Sequence, residues 1–339
     1  MSGISEALNS LAIRKDLTQD LAARVMTELL NGELTPSQIG ALLLGLRVKG
    51  ESAEEIAGFA KILRGLSKTI SAPEGSMDTC GTGGDGAGTF NISTTAAFVV
   101  AGAGVPVAKH GNRFASGRCG SADVLEQLGV PLSLTPEESS VNLQEIGMAF
   151  LFAPLYHPAL GKVAALRREL GVRTIFNLLG PLLNPANAPY QLLGVSSLDL
   201  QQKLAKALSI LGVKRAVVVV GEDGLDEVTL TGKSQAVLVE EGRFSSFEII
   251  PEEYGFTRCS PEDLKGEGPE ENARFTLGIL QGEVGPKRDI VLLNAGVALF
   301  AAKRVANIGD GIVLARESLA SGKALAKLLS LKERLAQAI

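Results

Sequence analysis

An α/β architecture is predicted for this chain: a small N-terminal helical bundle, then a larger α/β domain with a mostly parallel central sheet. Three observations carry it. Residues 1–72 hold helix caps and helical apolar spacing but no strand pattern. From Met77 onward, short apolar runs alternate with helical segments. A glycine-rich loop, Gly81-Thr-Gly-Gly-Asp85, directly follows the first of those runs. Strands separated by helices imply a largely parallel sheet with helices on both faces, and ligands then sit beyond the carboxyl ends of the strands. We expect residues 1–72 to form a helical domain, joined by helices from residues 158–180, and residues 73–339 to form the α/β domain.

Each element has a local reason. Thr18 can cap a helix that carries Leu21, Val25, Leu29 and Leu30 and stops at Asn31-Gly32. Thr35-Pro-Ser-Gln38 puts proline at the first helical position and glutamine where a capping box needs it. Ser52-Ala-Glu-Glu55 repeats the box ahead of Ile56, Phe59, Ile62, Leu63 and Leu66. Three or four short helices follow from this, and Ser71-Ala-Pro-Glu-Gly75 reads as a linker. Strands are predicted at Met77–Cys80, Val105–Ala108, Ala149–Ala153, Gln191–Val195, Ala216–Val220, Ala236–Val239 and Phe247–Ile250. Helices are predicted at Thr94–Gly102, Ala122–Leu128, Pro136–Ile146, Pro158–Leu170, Leu200–Leu211 and Pro269–Leu280, with more in the stretch from Ile290.

Composition narrows the function classes. A net charge of −4 argues against general nucleic-acid affinity, which needs clustered positive charge. The three cysteines, Cys80, Cys119 and Cys259, are far apart and show no paired metal-ligand spacing, which suits a reduced intracellular chain. The start lacks a basic segment followed by an apolar one, and the apolar run Ala96–Val107 is short and broken by Gly102, Gly104 and Pro106. A cytoplasmic protein without membrane contact is expected.

The loop 81–86 spells Gly-x-Gly-x-x-Gly, yet no acid stands about 20 residues on where a dinucleotide site would need it, and no Gly-Lys-Ser/Thr follows for a Walker loop. Uncovered backbone N–H groups can still close around phosphate oxygens. Asn91-Ile-Ser-Thr-Thr95 adds side-chain donors and acceptors at a helix start, where the segment also reads as an N-cap for the helix at Ala96 and the Ser93 hydroxyl could reach a metal. Lys109, Arg113 and Arg118 stand among Gly111, Gly117 and Gly120 and can neutralise phosphate or diphosphate. His110 reads as a polar wall of a pocket in preference to a general base. Gly221-Glu-Asp-Gly-Leu-Asp226-Glu227 follows a strand at the same sheet edge and could hold Mg²⁺, but charge alone does not choose among Glu222, Asp223, Asp226 and Glu227. Arg167 shares a helix face with Leu160, Val163 and Leu170; from spacing alone it snorkels to solvent, the alternative being a pocket.

Taken in order, the motifs resemble those of the anthranilate phosphoribosyltransferase family over nearly the whole length. They are Gly-Thr-Gly-Gly-Asp from 81, Asn-Ile-Ser-Thr from 91, Lys-His-Gly-Asn-Arg from 109, Gly-Ser-Ala-Asp-Val-Leu-Glu from 120, Arg-Thr-Ile-Phe-Asn-Leu-Leu-Gly-Pro-Leu from 173 and Asp-Gly-Leu-Asp-Glu from 223. The resemblance implies transfer of the 5-phosphoribosyl group of phosphoribosyl pyrophosphate to anthranilate, and a homodimer formed through the helical part. It implies that phosphoribosyl pyrophosphate is held by Gly81, Gly84, Asp85, Thr89, Asn91, Ile92, Ser93 and Thr94. The second strand and its loop would add Lys109, His110, Gly111, Asn112, Arg113, Phe114, Ala115, Ser116, Gly117 and Ser121. Magnesium, as two ions, is implied at Ser93, Asp226 and Glu227. Anthranilate is implied near Gly81, Asn112 and Arg167, with His110 and Pro181 lining its route, which overrides the snorkelling reading. Lys109, Asn112 and Arg167 are the implied catalytic set. The family usually has Ser-Ser-Lys-Ser-Gly where this chain has Ser116-Gly117-Arg118-Cys119-Gly120. A pyrimidine nucleoside phosphorylase-like enzyme and a nucleic-acid-binding protein on the same scaffold are the alternatives. The first differs at the basic motif, and the second would want a basic stripe, whereas Lys323, Lys327, Lys332 and Arg334 are interrupted by Glu333.

Overall fold

The computed structural model describes residues 2–113 and 119–337. Helices α1 (Gly3–Ala12), α2 (Gln19–Asn31), α3 (Pro36–Lys49) and α4 (Ala53–Gly65) form the N-terminal bundle. The Thr18 hydroxyl accepts from Leu21 N, α2 ends on left-handed Gly32 (φ 78°), and both capping boxes form. Glu55 does more than cap: it is fully buried and accepts from Leu17 N at 2.8 Å, Ser52 N at 2.7 Å and Lys49 Nζ at 3.0 Å. Gly58 lets α2 and α4 approach closely, because a methyl there would strike the Gln19 carbonyl and Ala22. Val25, Met26, Ile56, Phe59 and Leu63 fill the interface, each burial stabilising the bundle by about 1.5–3 kcal/mol.

The α/β part runs β1 (Met77–Gly81), α5 (Ile92–Gly102), β2 (Val107–Gly111), α6 (Ser121–Gln127), α7 (Pro136–Glu145), β3 (Met148–Phe152) and α8 (Ala153–Tyr156). Then follow α9 (Gly161–Leu170), α10 (Phe176–Leu179), β4 (Tyr190–Gly194), α11 (Leu198–Ile210), β5 (Arg215–Gly221), β6 (Ser234–Glu240) and β7 (Arg243–Ile249). Helices α12 (Pro269–Leu280), α13 (Pro286–Ala301), α14 (Ile308–Ala320) and α15 (Lys323–Gln337) complete the chain.

The sheet order is β3-β2-β1-β4-β5-β6-β7. Strands β3 through β5 are parallel, while β6 and β7 are antiparallel. Glu241 (φ 49°) and Gly242 (φ 80°) make a two-residue hairpin turn that reverses β7 on β6, while β6 returns beside β5 through the connection 222–233, which holds no helix. Strand β2 starts two residues later than its apolar run suggests, because Pro106 has no N–H to give a ladder. The helix expected over Pro158–Leu170 divides into a 3₁₀ turn, Pro158–Leu160, and α9.

One sheet face packs under α5, α13, α14 and α15. The other packs under α11 and the bundle, and Val163, Ile175, Phe176, Leu178 and Leu179 from α9, α10 and their junction join that same core. The chain therefore winds outward from β1 on one side and outward from β4 on the other. The change of direction lies between β1 and β4, where open α/β sheets place their ligand crevice. No helix among the described residues is long and apolar enough to cross a membrane.

Candidate active site

Strands β1, β2, β4 and β5 all end in glycine: Gly81, Gly111, Gly194 and Gly221. At Gly81 and Gly194 the reason is a close approach. Side chains there would collide with the Asp226 carboxylate and the Asp226 backbone carbonyl. The turn after β5 thus lies flat across the ends of β1 and β4. Asn294, fully buried in α13, fixes it from behind by accepting from Val228 N (2.9 Å) and donating to Val228 O (2.8 Å).

Of the four acids in that turn, two face the crevice. Asp226 Oδ2 accepts from Gly83 N at 2.6 Å, and Glu227 Oε1 accepts from Ser93 N at 3.0 Å. Asp223 is instead engaged by the Thr229 and Thr231 hydroxyls, and Glu222 by Lys233 N. Glu227 serves the start of α5, which begins at Ile92 with Asn91 in the N-cap position, two residues before the expected Thr94. The Asn91 side chain makes no cap bond; it accepts from Asn272 Nδ2 at 3.0 Å. Burial and then the charge of Asp85 push the Asp226 carboxyl above its usual range, and burial and then Asp226 do the same to Glu227.

This crowding bears on a metal. Among the described residues no three His, Cys, Asp or Glu side chains gather at metal-binding spacing. Two carboxylates short of positive charge, with the Ser93 hydroxyl beside them, are a donor set that fits a hard divalent cation whose remaining positions go to water and phosphate oxygens.

A cavity of about 710 Å³ opens over these groups. It is lined by the glycine loop, Thr89, residues 91–94, Lys109 to Arg113, Ser121, Asp226 and Glu227. Gly83, Gly84, Gly86 and Gly88 all have φ between 63° and 80°, so the loop takes a path that residues with side chains rarely follow. Lys109 is 2% exposed and donates to Thr79 O at 2.6 Å, which fixes its ammonium beneath the cavity floor. Arg113 also lines the cavity, but its charge is shared by Asp123 and Glu126, an outcome that corrects its reading as a free phosphate-neutralising cation. Phe114, Ala115, Ser116, Gly117 and Arg118 lie outside the described residues. Cys119 is a neutral thiol, its pKa raised to about 11 by burial.

A second cavity of about 240 Å³ adjoins the first and shares Gly81, Thr82, His110, Gly111 and Asn112 with it. Arg167 faces it, half-buried, with its guanidinium 5.2 Å above the Phe176 ring and without an ion pair among the described residues. Burial lowers its pKa. The spacing-based snorkelling reading fails because Phe176 stacks under the cation and holds it over the cavity. Pro181 lines the same cavity.

Three residues that the sequence reading gave no role also stand here. His157 Nε2 lies 3.2 Å from His110 Nε2, and His110 Nδ1 lies 3.2 Å from Gly180 O. Since a carbonyl only accepts, His110 carries its proton on Nδ1, and its Nε2 accepts a hydrogen bond from the Nε2–H of His157. Burial lowers the His110 pKa to about 3 and that of His157 to about 4, so both rings are neutral. The one signal for His157 was its being the only other histidine. Arg173 Nη2 donates to Gly83 O at 3.0 Å and lies 3.4 Å from Thr82 O. Asn272 comes from α12, remote in sequence, and nothing local marks it.

The chain is similar to known proteins over nearly its whole length. Residues 5–67 match the helical bundle domain, and residues 74–325 the a/b domain, of a glycosyl transferase family. The chain is 68% identical over 329 residues to an anthranilate phosphoribosyltransferase of Desulfitobacterium hafniense (strain Y51), covering 97% of this chain and 98% of that protein. The crystal structure of anthranilate phosphoribosyltransferase from Thermus thermophilus superposes with a TM-score of 0.92 at 44% identity, covering 98% of this chain and 99% of that one. The Saccharomyces cerevisiae enzyme in complex with PRPP and Mg superposes with a TM-score of 0.90 at 29% identity, covering 98% of each chain. The same yeast enzyme in complex with 4-fluoroanthranilate gives a TM-score of 0.88 at 28% identity, again over 98% of each chain. The chain belongs to the anthranilate phosphoribosyltransferase family.

Proposed function

We propose that this protein transfers the 5-phosphoribosyl group from phosphoribosyl pyrophosphate to the amine of anthranilate, releasing pyrophosphate, a step of tryptophan biosynthesis. One observation carries the reading: two cavities of opposite chemistry share a wall. The larger offers backbone N–H groups, hydroxyls and a carboxylate pair, as a metal-bound diphosphate needs. The smaller offers an unpaired arginine over an aromatic ring, as a benzoate needs.

In this assignment Gly81, Gly84, Asp85, Thr89, residues 91–94 and Ser121 hold the phosphoribosyl pyrophosphate. Arg167 fixes the anthranilate carboxylate, and Asn112 stands on the shared wall between the two reactants. Magnesium, taken as two ions, would be held by Ser93, Asp226, Glu227 and phosphate oxygens. When bound, it would neutralise charge on the departing diphosphate.

The chemistry is a displacement at the anomeric carbon. The bond to the diphosphate oxygen breaks, the amine lone pair forms the new C–N bond, and the sugar passes through oxocarbenium character. A neutral aromatic amine already has its lone pair, so the work of the chain is alignment and charge stabilisation, with no strong base needed. Neutral His110 and His157 fit that view as walls that keep water and charge away from the amine. We assign the bundle with α9 and α10 to one structural unit and the remainder to another. A homodimer through the bundle is supported by the exposed Ile13, Leu44 and Val48.

The test is direct. Purified protein with magnesium, phosphoribosyl pyrophosphate and anthranilate should release pyrophosphate in step with loss of anthranilate, and only when both substrates are present. Phosphate-dependent cleavage of a pyrimidine nucleoside in place of that reaction would overturn the assignment.

A further inference from the structure

The larger cavity is lined by three cations among the described residues: Lys109, Arg113 and Arg173. Lys109 is buried against Thr79 O, and Arg113 is matched by Asp123 and Glu126. Arg173 is exposed and, among the described residues, makes no ion pair and is bonded only to peptide carbonyls of the glycine loop, Gly83 O at 3.0 Å and Thr82 O at 3.4 Å.

Two further facts make this more than a chance contact. Gly83 and Gly84 are consecutive left-handed residues (φ 65° and 80°), a turn that leaves both carbonyls within reach of one guanidinium nitrogen. A methyl at position 84 would fall inside the Arg173 guanidinium, which occupies the place a side chain would take. Glycine at 84 is required by the backbone angle, and any side chain there would also push the Arg173 guanidinium off the loop. A carbonyl turned toward Arg173 is also a carbonyl not turned toward an anion. Arg173 lies just past α9, which ends on left-handed Gly171 (φ 64°) and carries Arg167 in its last turn.

We infer that Arg173 is a positioning residue for the diphosphate. It pins the glycine loop by its carbonyls, so that the loop's N–H groups and the guanidinium charge are presented to a phosphorylated ligand. The inference rests on reading the larger cavity as the phosphoribosyl pyrophosphate site.

Binding of phosphoribosyl pyrophosphate with magnesium, measured by calorimetry, together with steady-state kinetics, tests it. Arg173→Ala should raise the phosphoribosyl pyrophosphate Kd and KM about tenfold, the loss expected for charge-assisted hydrogen bonds at a wet site. The anthranilate KM and kcat should stay within about twofold, and Arg173→Lys should recover part of the loss. Gly84→Ala should weaken binding in the parent protein and less in the Arg173→Ala background, where only the backbone strain at φ 80° remains and the displacement of Arg173 no longer counts. Additive effects of the two substitutions would overturn the inference, as would equal rises in both KM values. A lowered melting temperature with unchanged Kd would show Arg173 to be only a structural tie and would also overturn it. If the parent protein binds no phosphoribosyl pyrophosphate, the functional reading falls and takes this inference with it; if the parent binds and Arg173→Ala binds equally well, only the inference falls.

Discussion

The buried histidine pair makes stability depend on pH in a way that one substitution can isolate. His157 is neutral in the folded protein because burial lowers its pKa from 6.5 to about 4, whereas in the unfolded chain it titrates at its ordinary value. As pH falls through 6.5 the unfolded state takes up a proton that the native state refuses, so stability is lost toward acid. Each pH step below that point costs about 1.4 kcal/mol, hence about 2 kcal/mol at pH 5. His110, lowered to about 3, acts in the same direction. Asp78 acts oppositely, since burial raises its carboxyl to about 6 and the native state then binds the extra proton. His157→Gln keeps an N–H for His110 but cannot titrate, and Asp78 is common to both proteins. Between pH 7.5 and pH 5, parent protein should therefore lose about 2 kcal/mol more than His157→Gln in urea unfolding. With only two histidines in the chain, carbon-labelled imidazole resonances report both rings directly, and in the native protein neither should titrate above pH 5. Parallel losses in the two proteins, or a native ring titrating near 6.5, would refute the reasoning.

Other outcomes follow from the same geometry. Arg167→Ala should raise the anthranilate KM by one to two orders of magnitude, about 1.5–3 kcal/mol for a charge-assisted pair, and leave the phosphoribosyl pyrophosphate KM nearly unchanged; equal effects on both would remove Arg167 from that role. Asp226→Asn combined with Glu227→Gln should sharply reduce magnesium-supported turnover, and an unchanged magnesium titration would exclude that turn from the metal site. Gly194→Ala should destabilise the protein by about 2 kcal/mol or more, visible as a lower urea midpoint, because the added methyl collides with the rigid Asp226 backbone.

Much of the fold is legible locally. Thr18, Thr35 and Ser52 act on backbone N–H groups three residues ahead, so their helices are marked in sequence. Strands β3 and β5 are apolar on both faces and stand out as runs, whereas β1 and β2 carry Asp78, Thr79, Lys109 and His110. Strands β6 and β7 are as visible as the others, but the reversal of β7 on β6 depends on the two residues between them, and Glu241 gives little hint of its left-handed backbone. For the site, the glycine loop and the Lys109 segment are marked by composition, and the structure gathers them around one cavity. Which acids face that cavity is decided by missing side chains at Gly81 and Gly194, far from the acids in sequence. The direction taken by Arg167 is likewise set by Phe176, and the neighbour of His110 by the path from β3 into α8. Contacts of this kind follow from packing, and no short window of sequence contains them.

Helix α9 lies on α3 and α10 on α4, although well over ninety residues separate those segments in the chain. On the ribosome, the first four helices emerge long before the pieces that pack against them. Strand β1 waits, one edge unpaired until β4 arrives. A nascent chain halted near residue 150 would hold neither completed layer, so the protein can reach its mature packing only after more than half of it has been synthesised.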